Sequence, residues 1–306
     1  MEVTAAQAGR IAVNGLTRGA IYALIALGYT MVYGILGMIN FAHGEIFMIG
    51  AYTGVLSLGV LAAFGWPAGF FGLLLAFAAA QLFAAAFGVT TWRVAYRPLR
   101  DAHTLSPLIS AIGMSIFFQN LVMLLQGKDK KDFPFDWSRL LEGKVHLAGI
   151  EMSVLQLVII GASVTLMAAL TWFIHRTRLG KAMRATAQDH RMAALVGIDT
   201  RRVIAVTFAI GSALAGAGGV LIAMYLQLVR FDDGYLAGIK AFTAAVLGGI
   251  GNIPGAMLGG LILGLAEDFT ASFASDWKEV VAFGVLMLVL ILRPRGLLGE
   301  RVTEKV

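Results

Sequence analysis

The stretch INFAHGEIFMIGAYTG, residues 39–54, places Asn40, His43 and Glu45 among residues that are otherwise apolar or small. An imidazole and a carboxylate are raw material for metal ligation or general acid–base catalysis. Their spacing argues against both. Residues two apart on a helix do not face each other. The His-Glu-x-x-His spacing of zinc hydrolases is missing, and no third ligand stands near in the chain. Two readings remain open. Ionisable groups within a membrane segment are candidates for a solute path. The alternative is a bend between two helices, where His43 satisfies freed carbonyls. Glu45, one residue after Gly44, then sits in the first turn of the next helix, where the dipole favours a carboxylate.

A second break lies in GIKAFTAAVLGGIGNIPGAMLGGLILGLAEDF, within 239–272. Glycine costs a helix about 1 kcal/mol and proline about 3. The stretch reads as two short helices meeting near 249–255, with Gly251, Asn252 and Pro254 forming either a turn or part of the path. Gly50-x-x-x-Gly54 in the first region resembles Gly255-x-x-x-Gly259 and Gly260-x-x-x-Gly264 in the second. Small residues at this spacing let helices approach closely. Paired broken segments point to a transporter's path, which makes 248–260 the expected counterpart of 39–54.

The elements that must hold these groups follow from composition. The 306 residues are 58% hydrophobic and only 14% charged, against roughly 25% charged in soluble domains. Uncharged runs cover 19–42, 46–92, 104–127, 152–174 and 203–229, and a span needs about 20 apolar residues. The run 46–92 is interrupted by FGWPAG at 64–69 and reads as two spans. The fold class is an all-α polytopic membrane protein of eight or nine transmembrane helices, with short broken helices near 34–54 and 239–272. Residues 1–306 form a single membrane domain. The first run lacks a basic leader and a small-residue cleavage site, so it is expected to be a retained span. The absence of cysteine excludes disulfides and thiol chemistry.

Charge distribution orients the chain. Residues 175–202 carry seven Lys and Arg against two Asp, and 93–100 and the C-terminal tail are also basic. Short cytoplasmic loops are enriched in Lys and Arg. This places 93–103, a loop at 175–202 and the C-terminus in the cytoplasm, and the charge-balanced loop 128–151 outside. The net charge of +6 follows from this pattern and does not point to nucleic acid. The threading puts the N-terminus outside, leaving Arg10 and Arg18 on the less favoured side. Glu267 and Asp268 are expected near the outer surface, with Trp277 at the interface. Asn120 and Gln119 are expected to bond a neighbouring helix, and Phe117 and Phe118 to pack or face lipid.

The 181–196 segment lacks proline and glycine and is rich in helix formers. It predicts one helix, ended by Gly197, with Asp199 or Thr200 capping the next. It reads as a basic face toward anionic lipid or as a docking helix for a cytoplasmic partner. No Gly-x-x-x-x-Gly-Lys-Ser/Thr occurs, so the chain has no phosphate-binding loop. Any nucleotide energy must come from another subunit.

GAIYALIALGYTMVYGILGMINFAHGEIFMIGAY (19–52), RATAQDHRMAALVGIDTRRVIAVTF (184–208) and GIKAFTAAVLGGIGNIPGAMLGGLILGLAE (238–267) resemble the inner-membrane permease of branched-chain amino-acid ABC importers, of the LivH-type subunit. RVAYRPLR (93–100) and LISAIGMSIFFQN (108–120) fit as well, so the resemblance spans nearly the whole chain. It implies no enzyme activity and no cofactor in this chain. A second homologous permease, two cytoplasmic ATPases that bind ATP and Mg, and a periplasmic amino-acid-binding protein are the implied partners. It puts ATPase coupling at Arg184, Ala187, Asp189, Ala194, Gly197 and Asp199. Leucine, isoleucine and valine are the implied solutes. The outward loop 127–152 departs from the family and leaves another amino acid or a urea- or amide-like solute as alternatives. An ion-coupled carrier using Glu45 or Glu267 as its proton site is the rival class.

Overall fold

A backbone in lipid must satisfy its own N–H and C=O groups, so each long uncharged run becomes a helix. The computed structural model describes residues 5–66, 69–99, 105–133, 143–147 and 150–299. Helix α1 spans Ala5–Leu36, α2 His43–Ala63 and α3 Phe70–Thr91. The α2–α3 boundary falls within the FGWPAG interruption, as expected. Helix α3 runs on through a π-helical turn at Trp92–Tyr96 and a 3-10 turn at Arg97–Leu99. Then come α4 (Leu105–Gln126), α5 (Val154–Arg176), α6 (Arg178–Gln188) and α7 (His190–Leu195). Last are α8 (Thr200–Leu226), α9 (Asp233–Gly248), α10 (Ile253–Phe273) and α11 (Lys278–Leu292). Among the described residues, seven helices are long and apolar enough to cross a membrane. The 16 residues of α9 and 15 of α11 fall short of that length. The break expected near 249–255 falls at Gly249–Asn252, and its second helix, α10, has 21 residues.

Helices α1, α2 and α8 form the buried centre, while α3, α4 and α5 carry exposed apolar residues such as Leu82, Leu124 and Trp172. Glycines set the central spacing. A Cβ at Gly50 would overlap the Gly216 backbone on α8, and one at Gly264 would overlap Gly19 on α1. Backbone approach of this kind raises dispersion contact where the hydrophobic effect supplies no drive between helices.

The loop 128–151, expected to face outward, is described only in part, residues 134–142 and 148–149 lying outside the described residues. Strand β1 (Lys131–Asp132) pairs antiparallel with β4 (Leu228–Val229), which lies between α8 and α9. Strand β2 (Lys144–Leu147) forms a hairpin with β3 (Ile150–Ser153). A Cβ at Gly9 would overlap the Ile150 side chain, so the hairpin sits at the N-terminal end of α1. Lys144 bonds Glu151 at 3.2 Å, and this hydrogen bond holds the Glu151 carboxyl below its ordinary value.

Glu267 is buried in the bundle at 1% exposure. Arg18 lies within α1, 3.6 Å from Glu267 and 3.5 Å from Asp268, where the carboxylates answer its charge. One expectation is corrected. The 181–196 helix is interrupted at Asp189, whose backbone is extended (φ −159, ψ 112). Its Oδ1 accepts from Arg191 N–H at 2.8 Å and Met192 N–H at 3.0 Å. A short carboxylate that can bond the backbone ahead of it starts a new helix rather than continuing the old one.

Candidate translocation path and coupling surface

The connection 37–42 folds back along α1. The first residue of α2, His43, packs its ring against Gly28. Gly28 lies eight residues before the end of α1, about 12 Å at helical rise. The ring also meets Tyr29 edge-on, centroids 4.7 Å apart, and its buried Nε2 has no hydrogen-bond partner. Asn40 closes the bend. Its Oδ1 accepts from Ala42 N–H at 3.2 Å, and its carbonyl accepts from His43 N–H at 3.1 Å. A short side-chain amide imitates a backbone turn in this way. Tyr96, in the π-helical turn, donates to the Ile39 carbonyl at 3.1 Å.

The stretch packed against this junction is the start of α9. Gly44 meets Gly234 and Gly238, and Gly238 also lies against the Tyr29 hydroxyl. The sequence Asn-Phe-Ala-His-Gly-Glu (40–45) thus faces Arg-Phe-Asp-Asp-Gly-Tyr (230–235), with Phe and Gly at matching places. The expected counterpart at 248–260 packs elsewhere. A two-residue match in six was too faint to be read from the chain alone. Two helix starts therefore meet inside the bundle. Their unsatisfied N–H groups make such ends electropositive. Glu45 stands in the first turn of α2, buried to 1% exposure. Its Oε1 accepts from Ser115 Oγ of α4 at 3.3 Å.

A cavity of about 400 Å3 opens beside this meeting point, lined by Tyr29, Phe41, Ser115, Gln119, Gly234, Tyr235 and apolar residues of α4 and α9. Gln119 lies on this wall. Asn120 bonds the Ile116 carbonyl of its own helix at 2.7 Å rather than a neighbour. Phe118 is buried and Phe117 exposed.

The second break is a cap. Gly249 (φ +106) and Gly251 (φ +93) take conformations that side chains disfavour. Asn252 Oδ1 caps α10 by accepting from Gly255 N–H at 2.9 Å, and Pro254 sits in the first turn. The C-terminal segment closes over the break. Leu297 and Leu298 N–H donate to the Leu247 and Gly248 carbonyls, both at 2.9 Å, and Asn252 Nδ2 donates to Leu298 O at 2.8 Å. These bonds answer carbonyls that the end of α9 leaves without helical partners.

At the same end of the bundle, Gly251 shares a cavity of about 90 Å3 with Arg184 and Ala187 of α6 and with Thr30 and Gly34 of α1. Arg184 reaches back to the Ile174 carbonyl at the end of α5. Asp199 Oδ1 caps α8 through Arg202 N–H at 3.1 Å. Gly197 (φ +86) ends α7, with Ile198 N–H bonding Ala193 O and Gly197 N–H bonding Ala194 O, both at 3.0 Å. Leu195 and Val196 are left 79% and 77% exposed beside Ala194, which is also exposed.

Sequence reasoning missed a buried ionic network. Lys240 Nζ lies 2.6 Å from Glu267 Oε1 and 2.9 Å from Glu279 Oε1, and the Tyr22 hydroxyl donates to Glu267 Oε2 at 2.9 Å. Opposite charges in neighbouring apolar segments were the available signal.

The helices, their broken starts and the cavity beside them fit a multi-pass membrane permease. The chain belongs to the branched-chain amino acid transport system / permease component family, whose model matches residues 11–290. It is 53% identical over 296 residues to the high-affinity branched-chain amino acid transport system permease protein BraD of Pseudomonas aeruginosa, covering 96% of each chain. It is 48% identical over 295 residues to the corresponding protein LivH of Escherichia coli, again over 96% of each. Among solved structures, PsaBC from Streptococcus pneumoniae in complex with Fab matches with a TM-score of 0.51 at 14% identity, covering 92% of this chain and 91% of that one. That likeness concerns the fold alone.

Proposed function

We propose that this chain is one of two permease subunits in an ATP-driven importer of branched-chain amino acids in the bacterial inner membrane. The observation that carries the reading is the 53% and 48% identity, over 96% of each chain, to permeases named for high-affinity transport of those solutes. The N-terminus and the loop 128–151 face the periplasm, where a binding protein delivers the solute. The C-terminus and the loop 175–202 face the cytoplasm.

Two ATPases hold ATP and Mg below and dock on the α6–α7 loop. Support comes from the exposed Leu195 and Val196 beside Ala194, with Asp189, Gly197 and Asp199 fixing the loop's shape. Arg184 and Ala187 transmit movement, because they share a cavity with Gly251 and α1. The path runs beside the junction of Asn40, His43, Glu45 and Gly50, against a second, homologous permease. Gly251, Asn252 and Pro254 serve as a hinge cap at its cytoplasmic end. The solute passes as each ATP cycle moves the two permeases relative to each other, a gating of repeats about a fixed junction.

The test is uptake of labelled leucine into vesicles. Uptake is expected only with both permeases, the ATPases, ATP and the binding protein present. Uptake by this chain alone under a proton gradient would sink the importer reading.

A further inference from the structure

Glu45 stands where α2 and α9 begin, with one oxygen unanswered. Oε1 takes the Ser115 hydroxyl at 3.3 Å, while Oε2 has no hydrogen-bond partner. Among the described residues, no Lys, Arg or His forms an ion pair with it. The ionisable neighbour acting on it is Asp232, which is also acidic. The two helix starts favour a negative charge at this point, yet a buried charge without a cation is costly.

The free oxygen occupies the notch left by the missing side chain of Gly234, since a Cβ there would overlap it. Gly234 and Ser115 both lie on the wall of the 400 Å3 cavity. Ile112, Ile116 and Phe242 make the same wall apolar. An anionic acceptor beside an apolar pocket is complementary to a small molecule with a primary ammonium at one end and a branched hydrocarbon at the other.

We propose that the Glu45 carboxylate, steadied by Ser115, receives the α-ammonium of the solute during passage, with Ile112, Ile116 and Phe242 taking its side chain. This deepens the importer reading and rests on it. Glu45 does not itself line the cavity and its free oxygen is buried, so the ammonium reaches it past Gly234 and Ser115 as α4 and α9 move apart in the transport cycle. The contact is single-ended, so it holds the solute briefly and lets it leave.

The test uses the complete complex in vesicles, with leucine uptake and ATP hydrolysis measured together. Glu45→Gln is expected to lower leucine taken up per ATP by about tenfold or more, the loss for one charged hydrogen bond. ATP hydrolysis stimulated by the leucine-loaded binding protein is expected to persist. Glu45→Asp is expected to retain more transport than Glu45→Gln, and Ser115→Ala to lose less. Wild-type uptake per ATP in Glu45→Gln overturns the proposal.

A second measurement needs no variant. The wild-type complex is treated with dicyclohexylcarbodiimide, and modification of Glu45 is read by mass spectrometry. Loss of that modification when the binding protein delivers leucine supports the contact. Modification that is absent throughout, or unchanged by leucine, overturns it. A wild-type complex that takes up no leucine under ATP would instead strike the importer reading itself.

Discussion

Lys240 of α9 and Glu267 of α10 form a buried ion pair, Nζ to Oε1 at 2.6 Å, with both side chains at 5% exposure or less. Glu279, Arg18 and the Tyr22 hydroxyl complete the network. The pair joins α9 to its neighbours on the side away from the cavity, which Tyr235, Gly238 and Phe242 of the same helix line. Removing one partner of a buried pair costs up to about 3–5 kcal/mol, here with Arg18 and the Tyr22 hydroxyl still facing Glu267. Lys240→Met is therefore expected to lower the thermal midpoint of the detergent-solubilised protein strongly. Lys240→Met with Glu267→Gln is expected to recover part of that loss. Equal midpoints for Lys240→Met and wild type would show that the pair contributes nothing to stability.

Helix contact through glycine gives a paired prediction. A Cβ at Gly50 overlaps the Gly216 backbone, whereas one at Gly113 meets nothing within 4 Å. Gly50→Ala is expected to destabilise by about 1–3 kcal/mol through overpacking. Gly113→Ala, in the interior of α4, is expected to stabilise by about 0.5–1 kcal/mol through lost unfolded-state freedom. The thermal midpoints of the two variants should move in opposite directions, and a shift of both the same way would contradict the packing argument.

The loop 175–202 carries a pH dependence. Hydrogen bonds from the Met192 and Arg191 N–H groups hold the Asp189 carboxyl below its ordinary value of 3.8. With the folded value depressed, the cap is complete above 3.8 and is lost as pH falls through the lower folded value. Amide exchange across 190–196, taken relative to the intrinsic rate at each pH, is expected to accelerate in that acid window in the wild type. In Asp189→Ala it should be fast already at neutral pH and insensitive to the same acid step. Identical protection in the two proteins would remove Asp189 as the cap.

The chain determined by itself which long uncharged segments are helices, because lipid leaves no other way to satisfy a backbone and uncharged runs of span length are visible in one dimension. Its glycine spacing announced close contacts, and Gly197 and Asp199 announced a helix end and start through local chemistry. The tertiary structure alone decided which surfaces meet. Glu267 is buried because Lys240, 27 residues away, folds back beside it. The break at 39–45 faces 230–238 because two distant helices both begin inside the bundle, and the break at 249–252 is capped by a C-terminal segment some 46 residues further on. Each of these is a pairing across long stretches of chain, set by packing in three dimensions, which no local pattern of residue types encodes.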